Sequence, residues 1–593
     1  MNIASLFKGQ HLLFALFFAW GICHAAPMDL VNAAKKQDWQ TVQSLLTNEN
    51  NINEAQGDGT TALAWSVYWD NLDTAKQLID AGADVNAGNY LGVTPLILAA
   101  RNQNPRIIAA LLEAGADPNQ ATWSGETVLM TAAKTGGTQS ITHLLDHGAT
   151  INTQDPRRGQ TALMWAISYG HPDVAKVLID RGANVNLRSK KLAEPEEFSP
   201  MLMEGFGSNV TAIAKGGYSA LMFAARQGDR ASARLLLDKG VDVNEVSVED
   251  GPALVIATAW GHADLAMDLL EWGADPNITD ANGMTALHFT MRDGLKVLLG
   301  LSLEKEKRVC GFTDGVPCKD MAILTETELA LLNDPTSNLD VVEGETKQID
   351  YQGYNRKAML PGDNMHDLAE ALLARGADVN AAMKYPPPHM RIEHLTWVNL
   401  ANATPAFLAA ASQDQFAVEI MLEHGANTQV TTEVNHEVFS DQTSKHDDGN
   451  QIQGDATVFM AAVGMGRQKG VTVEQERAAL AIARRLVALG ADVNEANITG
   501  WTPLHVAALN GTNTLVRFLV DEGANINVMN GCGRTPLSLA SGENTVGLLA
   551  ASKPKPDTVK LLKELGAGSS EPTGPVGECV LGRIQDVVEE VDN

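Results

Sequence analysis

Apolar and polar positions along the chain repeat with the spacing of two short amphipathic helices in succession. Around residues 500–527, Thr502 precedes an apolar stretch as a helix N-cap, and Pro503 occupies the first helical position, where a missing N–H costs nothing. Gly511 predicts the end of this helix. A second apolar face follows at i, i+3, i+4 spacing, and Gly523 predicts its end. One such pair cannot bury its own apolar faces, so we expect its stability to come from stacking on neighbouring pairs.

Two sequence motifs mark the repeating unit. Gly-Ala-Asp/Asn-x-Asn occurs at residues 82–86, 115–119, 182–186, 273–277, 376–380, 490–494 and 523–527, with weaker copies at 148–152, 240–244 and 425–429. Thr-Pro/Ala-Leu begins at residues 94, 161, 285 and 502. The first motif starts at 82, 115 and 148, and again at 490 and 523, which are intervals of 33 residues. The coupled motifs resemble the ankyrin repeat.

The resemblance implies a mainly α-helical ankyrin-repeat solenoid over residues 26–567, with short β-hairpin fingers between helix pairs. The chain has room for about twelve units of roughly 33 residues. His288 and His505 alone occupy the histidine position of the family in the first helix. Elsewhere that position carries apolar residues, namely Ala64, Ile97, Met130, Met164 and Met222.

Five insertions interrupt the period. Residues 187–216, 382–402 and 428–454 extend hairpin fingers, whereas residues 295–364 and 464–478 fall between the two helices of a unit. The last two lie on one edge, where they form either an accessory lobe or independent loops. Within residues 295–364 the pattern predicts helices at 295–308 and 322–333. A C-terminal tail follows at residues 568–593.

The first 25 residues have the pattern of a signal peptide. Lys8 is the only charged residue in residues 1–10, residues 12–22 are uninterruptedly apolar, and small residues precede a cut after Ala25. We therefore expect export, to the periplasm in the first instance and to the extracellular space as the alternative. No later stretch reaches the ~18 apolar residues of a membrane span.

Export would leave four cysteines in an oxidising compartment: Cys310, Cys318, Cys532 and Cys579. We expect disulfides between Cys310 and Cys318 and between Cys532 and Cys579, with free thiols as the alternative. The C-x7-C spacing matches neither a zinc nor a haem-attachment motif.

The net charge and the absence of catalytic motifs in the sequence disfavour several classes of function. The net charge is −28, from 72 acidic and 44 basic residues, which disfavours nucleic acid as a partner. The sequence His436-Glu437 lacks the second histidine of a zinc motif, and we find no nucleophile or phosphate-binding signature. We therefore expect neither enzymatic activity nor a cofactor.

Large aromatic side chains mark a candidate partner surface in a chain with only 5% aromatic residues. The resemblance implies a concave face formed by first-helix ends and finger tips, carrying Tyr68, Trp69, Tyr169 and Trp260 on helices and Tyr90, Trp123 and Trp501 on fingers. Packing between neighbouring repeats is the alternative for each residue. Trp65 and Trp165 are expected in the core. Four arginines are expected as charged residues at the rim: Arg157, Arg158, Arg226 and Arg292.

These features predict a monomeric, non-enzymatic scaffold of the cell envelope that binds another exported protein on its concave face. The expanded helix–helix turn resembles a group of exported bacterial ankyrins, which implies a c-type cytochrome-like partner. One alternative is a secreted effector that binds host proteins. Another is a redox or metal-dependent activity located in the insertions.

Overall fold

The computed structural model describes residues 30–46, 52–192, 215–298, 363–384, 400–433, 455–465, 471–531, 533–542 and 554–568, and the backbone of three strands between residues 306 and 344. The predicted signal peptide, the tail beyond residue 568 and most of the insertions lie outside the described residues. So do Cys318, Cys532, Cys579 and the side chain of Cys310. The corresponding predictions stay predictions. The chain divides into two compact units, Met1–Lys190 and Lys191–Asn593.

The described part of the first unit contains five successive helix pairs. In chain order they are α1 (Leu30–Lys35), α2 (Trp39–Leu46), α3 (Ala62–Tyr68), α4 (Leu72–Asp80), α5 (Pro95–Arg101), α6 (Pro105–Glu113), α7 (Val128–Thr135), α8 (Thr138–Asp146), α9 (Ala162–Ser168) and α10 (Pro172–Asp180). The first helices pack in order, α1 on α3, α3 on α5, α5 on α7 and α7 on α9. Their apolar residues form the core.

The second unit also consists of helix pairs, and its described residues include two small sheets. Its helices are α11 (Ala220–Gln227), α12 (Arg230–Asp238), α13 (Ala253–Ala259), α14 (Ala263–Glu271), α15 (Ala286–Thr290), α16 (Arg292–Leu298), α17 (His366–Ala374), α18 (Pro405–Ser412), α19 (Gln415–Glu423), α20 (Val458–Ala462), α21 (Val473–Ala488), α22 (Pro503–Asn510), α23 (Asn513–Asp521), α24 (Pro536–Ser541) and α25 (Pro556–Glu564). Its strands are β1 (Lys191–Leu192), β2 (Lys215–Gly216), β3 (Glu306–Cys310), β4 (Lys319–Asp320) and β5 (Asp340–Gly344). β1 pairs antiparallel with β2, and β3 lies between β4 and β5 with both pairings antiparallel.

The helix boundaries follow the predicted signals. Thr502 is the N-cap of α22, with Pro503 at the first position and Gly511 left-handed at φ +76°. In other units the N-cap hydroxyl accepts a backbone N–H three residues later, as Thr94 does from Ile97 at 3.4 Å. A threonine therefore closes the open N-terminus of α3, α5, α7 and α9, whereas α13 begins after Pro252 without a side-chain cap.

The last residue of the Gly-Ala-Asp/Asn-x-Asn motif links successive turns. Asn119 donates from Nδ2 to the carbonyl of Gly148 at 3.0 Å and accepts the N–H of Thr150 at 2.7 Å. The same pair of bonds recurs in both units. It explains why asparagine occupies the last position of the motif, since an amide side chain supplies both a donor and an acceptor to the neighbouring turn.

Repeat packing continues across the long insertion. Asn277 bonds to the carbonyl of Gly376 at 2.9 Å and to the N–H of Asp378 at 2.7 Å, although about a hundred residues separate them. The N–H of Met365 bonds to Thr290 at 3.0 Å, which repeats the helix-to-helix turn of other units. The insertion thus leaves the repeat after Met291 and returns before Met365.

Two predictions for the insertions were wrong in part. The helix predicted at residues 295–308 is instead α16, which ends at Leu298, followed by strand β3. β3 pairs with β5, a partner about thirty residues away that local pattern does not reveal. The predicted insertion at 464–478 contributes its last six residues to α21, which runs for 16 residues.

Candidate functional site

Five of the predicted surface aromatics lie exposed in the first unit. Tyr68 and Trp69 end α3, and Tyr169 ends α9. Tyr90 and Trp123 lie on fingers and are the most open, with 79% and 76% of their surface exposed. Such large amphipathic rings are enriched among the residues that anchor protein interfaces.

Backbone bonds between fingers hold the two finger aromatics. The N–H of Tyr90 donates to the carbonyl of Asp58, and the N–H of Trp123 donates to the carbonyl of Leu91, both at 3.0 Å. Leu91 is exposed as well. Because these bonds use only main-chain atoms, the side chains remain available to a partner.

The expectation that Trp65 and Trp165 are core residues was wrong. Both are only half-buried, because each lies one helical turn before an exposed ring and contacts it along the helix surface. Trp65 stacks on Trp69 with centroids 6.5 Å apart, and Trp165 stacks on Tyr169 at 5.8 Å and 4°. Tyr68 meets Trp69 edge-on at 4.8 Å. The two tryptophans therefore enlarge the aromatic surface.

A cation from the preceding repeat covers these rings. Lys134 Nζ lies 5.2 Å from the centroids of both Trp165 and Tyr169, and Lys35 Nζ lies 5.3 Å from that of Trp65. Cations over aromatic faces within about 6 Å are electrostatically favoured. The rings are thus held in place before any partner arrives.

A ring N–H also donates to the backbone carbonyl of each cation residue, from the second ring of the stacked pair in one repeat and from the histidine that follows the pair in the other. Trp69 Nε1–H donates to the carbonyl of Lys35 at 3.2 Å, and His171 Nε2–H donates to that of Lys134 at 3.0 Å. A Cβ at Gly136 would meet the His171 ring at 2.8 Å, so glycine makes room for it. This role of the histidine was not predicted, although Gly-His follows the first helix at residues 170–171 and again at 261–262.

The second unit repeats this arrangement. The guanidinium carbon of Arg226 lies 4.5 Å from the centroid of Trp260, which is exposed, and His262 Nε2–H donates to the carbonyl of Arg226 at 3.0 Å. Partial burial lowers the pKa of the Arg226 guanidinium. A second stack, Arg234 over Trp272 at 5.4 Å, involves the second helices.

Trp501 was wrongly predicted to be an exposed finger residue. It is 1% exposed, its N–H donates to Asn497 Oδ1 at 2.8 Å, and its ring packs 5.7 Å from that of His505. It directly precedes the helix N-cap, as Val93 does in the first unit, and that position faces the core. Tyr90, by contrast, directly follows Asn89 and lies four residues before the N-cap Thr94, at an exposed position of its finger.

Arg292 was also wrongly predicted, since it lies fully buried rather than at a rim. Its Nη2 donates to the carbonyls of Thr258 and Ala259 at the end of α13, the latter at 2.8 Å. α16 packs against α18, where a Cβ at Gly294 would meet the Leu408 carbonyl oxygen at 2.1 Å. Because this cation is buried and bonded to the carbonyls at a helix end, we assign Arg292 a structural role and not a binding one. Arg157, Arg158 and Arg226 are exposed, as expected of rim residues.

The described residues contain no cluster of three or more His, Cys, Asp or Glu side chains arranged to hold a metal ion. In the same part of the chain, no helix is long and apolar enough to cross a membrane.

Stacked helix pairs linked by fingers define a helical-repeat protein, and comparison identifies the kind of repeat. A family model described as ankyrin repeats matches residues 30–122, 119–189, 197–280 and 472–567, more than half of the chain. The chain belongs to the ankyrin-repeat family. Ankyrin repeats are protein–protein interaction modules.

Individual relatives match over short stretches. A rice (Oryza sativa subsp. japonica) protein named as a probable E3 ubiquitin-protein ligase is 31% identical over 176 residues, which is 28% of this chain and 32% of that protein. The human Notch-regulated ankyrin repeat-containing protein is 40% identical over 72 residues, 12% of this chain and 63% of that protein. The crystal structure of the human ASB11 ankyrin repeat domain aligns with a TM-score of 0.33 at 23% identity, covering 41% of this chain and 96% of that domain. The chain spans a third or less of the first three relatives it matches.

Proposed function

We propose that the chain is a non-enzymatic scaffold that binds a partner protein through the exposed aromatic surface of its first unit. The surface consists of Tyr68, Trp69, Tyr90, Trp123 and Tyr169, together with the half-buried Trp65 and Trp165. The observation that carries the proposal is that cations contact the rings of Trp65, Trp165 and Tyr169, while main-chain bonds fix the backbone that carries Tyr90 and Trp123. An ordered surface loses little side-chain entropy on binding, which favours affinity.

We further propose that this scaffold acts outside the cytoplasm, in the periplasm, on another exported protein. Support comes from the apolar run at residues 12–22 and the small residues that follow it. A c-type cytochrome-like partner is the specific candidate, on the family resemblance alone. The predicted signal peptide implies that the mature protein is released by osmotic shock.

Affinity capture with the mature protein tests the binding surface. The Trp69→Ala/Trp123→Ala/Tyr169→Ala variant removes three rings from the surface. A matched control removes three exposed apolar side chains elsewhere, Phe416→Ala/Val473→Ala/Leu489→Ala. Quantitative mass spectrometry should show a partner that the control retains and the aromatic variant loses.

Equal retention by the aromatic variant, with both variants folded by circular dichroism, would contradict the proposal. Calorimetric titration of the purified partner then measures how much affinity the aromatic variant has lost. Anchor rings at interface centres contribute roughly 2 kcal/mol or more each, so we expect at least a hundredfold loss of affinity.

A further inference from the structure

We propose that the first unit binds an extended acidic segment of its partner protein, along a strip formed by the ends of its first helices. This inference rests on the proposed function and names the chemistry of the ligand. The basic–aromatic strip comprises Lys35 at the end of α1, Trp69 after α3, Arg101 at the end of α5, Lys134 near the end of α7 and Tyr169 after α9.

The order of residues along the strip follows from the packing of the helices. Because α1, α3, α5, α7 and α9 pack in sequence, the five residues come in the order cation, aromatic, cation, cation, aromatic. The chain as a whole carries 72 acidic against 44 basic residues. The five strip residues include three cations and no acid, in contrast to the acidic composition of the chain as a whole.

The three cations are available to a ligand. Among the described residues, no carboxylate oxygen lies within salt-bridge distance of Lys35, Arg101 or Lys134. The ion pairs described in this unit lie on second helices, Lys176–Asp180 at 2.5 Å and Arg181–Asp146 at 2.9 Å. The stacking of a lysine on a ring still leaves ammonium protons for a carboxylate.

Two acids of the first unit, Asp58 and Asp70, accept hydrogen bonds from groups outside the strip. Asp58 accepts the N–H of Thr60 at 2.9 Å, which is the main reason its pKa is lowered, with a smaller contribution from the charge of Lys35. Asp70, directly after Trp69, accepts from Asn104 Nδ2 at 2.8 Å. Neither bonds to a cation of the strip.

The repeat spacing fits an extended ligand. Packed helices lie about 8–10 Å apart, and an extended chain in the polyproline II conformation advances about 3.1 Å per residue with three residues per turn. One repeat therefore corresponds to one turn of about three ligand residues, and every third side chain faces the strip. Acidic side chains for Lys35, Arg101 and Lys134 and apolar ones for Trp69 and Tyr169 then fall at every third position. The matching segment is Glu-x-x-Leu-x-x-Glu-x-x-Glu-x-x-Leu or its reverse.

Fluorescence anisotropy with labelled peptides tests this inference directly on the full mature chain. The probes are the 13-residue peptide in both orientations with Ser, Thr and Gly at x, the same peptides with Gln for Glu, and a scrambled peptide of identical composition. We expect one orientation of the Glu peptide to bind more tightly than its Gln and scrambled forms. Its affinity should fall as salt rises from 50 to 500 mM, because exposed charges are screened.

Charge-matched variants locate the site. We expect Lys35→Gln/Arg101→Gln/Lys134→Gln to weaken binding about tenfold or more, as the loss of three ion pairs at the surface implies. The control removes three exposed cations from second helices of the same unit, Lys76→Gln/Arg106→Gln/Lys176→Gln, and should change affinity less than twofold. Equal losses in both variants, equal binding of the Gln peptide, or no binding of either Glu peptide would overturn the inference.

The captured partner separates this inference from the proposed function. If the partner is lost from the aromatic variant but retained by the strip-cation variant, the surface is correct and the acidic ligand is wrong. If the aromatic variant retains the partner, the proposed function itself fails.

Discussion

The buried histidine His505 makes one repeat of the second unit sensitive to acid. Its Nδ1 accepts the N–H of Thr502 at 3.1 Å, and its Nε2–H donates to the carbonyl of Arg534 at 3.0 Å. Only the neutral imidazole satisfies both bonds, since a proton on Nδ1 would face the N–H of Thr502. Burial lowers the pKa of His505 from 6.5 to about 4.

The sign of the effect follows from proton uptake. Between pH 6.5 and 4 the unfolded repeat binds a proton that the folded repeat excludes, so stability falls as the pH falls through this range. From the pKa values of 6.5 and about 4, the loss relative to pH 7 is about 2 kcal/mol at pH 5 and about 3 kcal/mol at pH 4. Glu495 offsets part of this loss of stability at low pH, because burial raises its pKa and the folded state therefore takes up its proton more readily than the unfolded state does.

His505→Met isolates the contribution of the histidine. Methionine occupies the same position in another unit, where Met130 Sδ accepts the N–H of Thr127 at 3.5 Å, so the variant keeps the contact without the titration. Hydrogen exchange of the α22 amides, corrected for intrinsic rates, gives the local opening free energy at pH 7 and 5. A local measurement is needed because repeat arrays do not unfold as one unit.

We expect the wild-type protein to lose about 2 kcal/mol more than His505→Met between pH 7 and 5. Equal pH dependence in the two proteins would refute the reasoning. Unchanged α7 amides serve as the internal control, since the first-helix position there holds Met130.

Three further predictions concern single residues. Asn119→Ala should cost about 1–2 kcal/mol of local stability, because the bonds to Gly148 and Thr150 are lost; faster exchange of the Thr150 amide would show it. Gly228→Ala should destabilise its repeat by about 1–3 kcal/mol more than Gly240→Ala does, because a Cβ at Gly228 would meet the His262 ring at 2.5 Å whereas the space at Gly240 is open. Both glycines have positive φ, +70° and +84°, so the backbone strain is similar, and hydrogen exchange of the α12 amides compares the two variants. Burial raises the pKa of Asp280 from 3.8 to about 6, so ionisation costs stability as pH rises through that range. Asp280→Asn should therefore add about 1–3 kcal/mol of local stability at pH 7 with little gain at pH 4, which hydrogen exchange of the α15 amides at both pH values would show.

Much of the fold could be predicted because the residues that begin and end each helix of the repeat act through contacts with near neighbours in the sequence. Thr502, Pro503 and Gly511 mark helix ends through interactions within a few residues. The last asparagine of each Gly-Ala-Asp/Asn-x-Asn motif recurs at fixed spacing because its side chain must reach one carbonyl and one N–H of the next turn. Histidine at 288 and 505 could be located by position, although its pKa depends on burial that only the fold provides.

The errors occurred where a residue's environment is set by another segment. Arg292 reads as an exposed cation, but its partners are carbonyls on α13, more than thirty residues earlier. β3 reads as helix because its partner β5 is distant. Trp501 was placed on a finger tip because the finger was shifted by a few residues, a displacement that exchanges an exposed position for a buried one. The cation–ring contacts were missed for the same reason, since each joins successive repeats.

Hydroxyl-radical footprinting of the protein with and without its captured partner tests the proposed surface most directly. We predict that five aromatic residues of the first unit become protected on binding: Tyr68, Trp69, Tyr90, Trp123 and Tyr169. Phe416, exposed in the second unit, should keep its reactivity, and the buried Trp501 should be unreactive throughout. Protection of Phe416 with no change at the five first-unit aromatics would contradict the account.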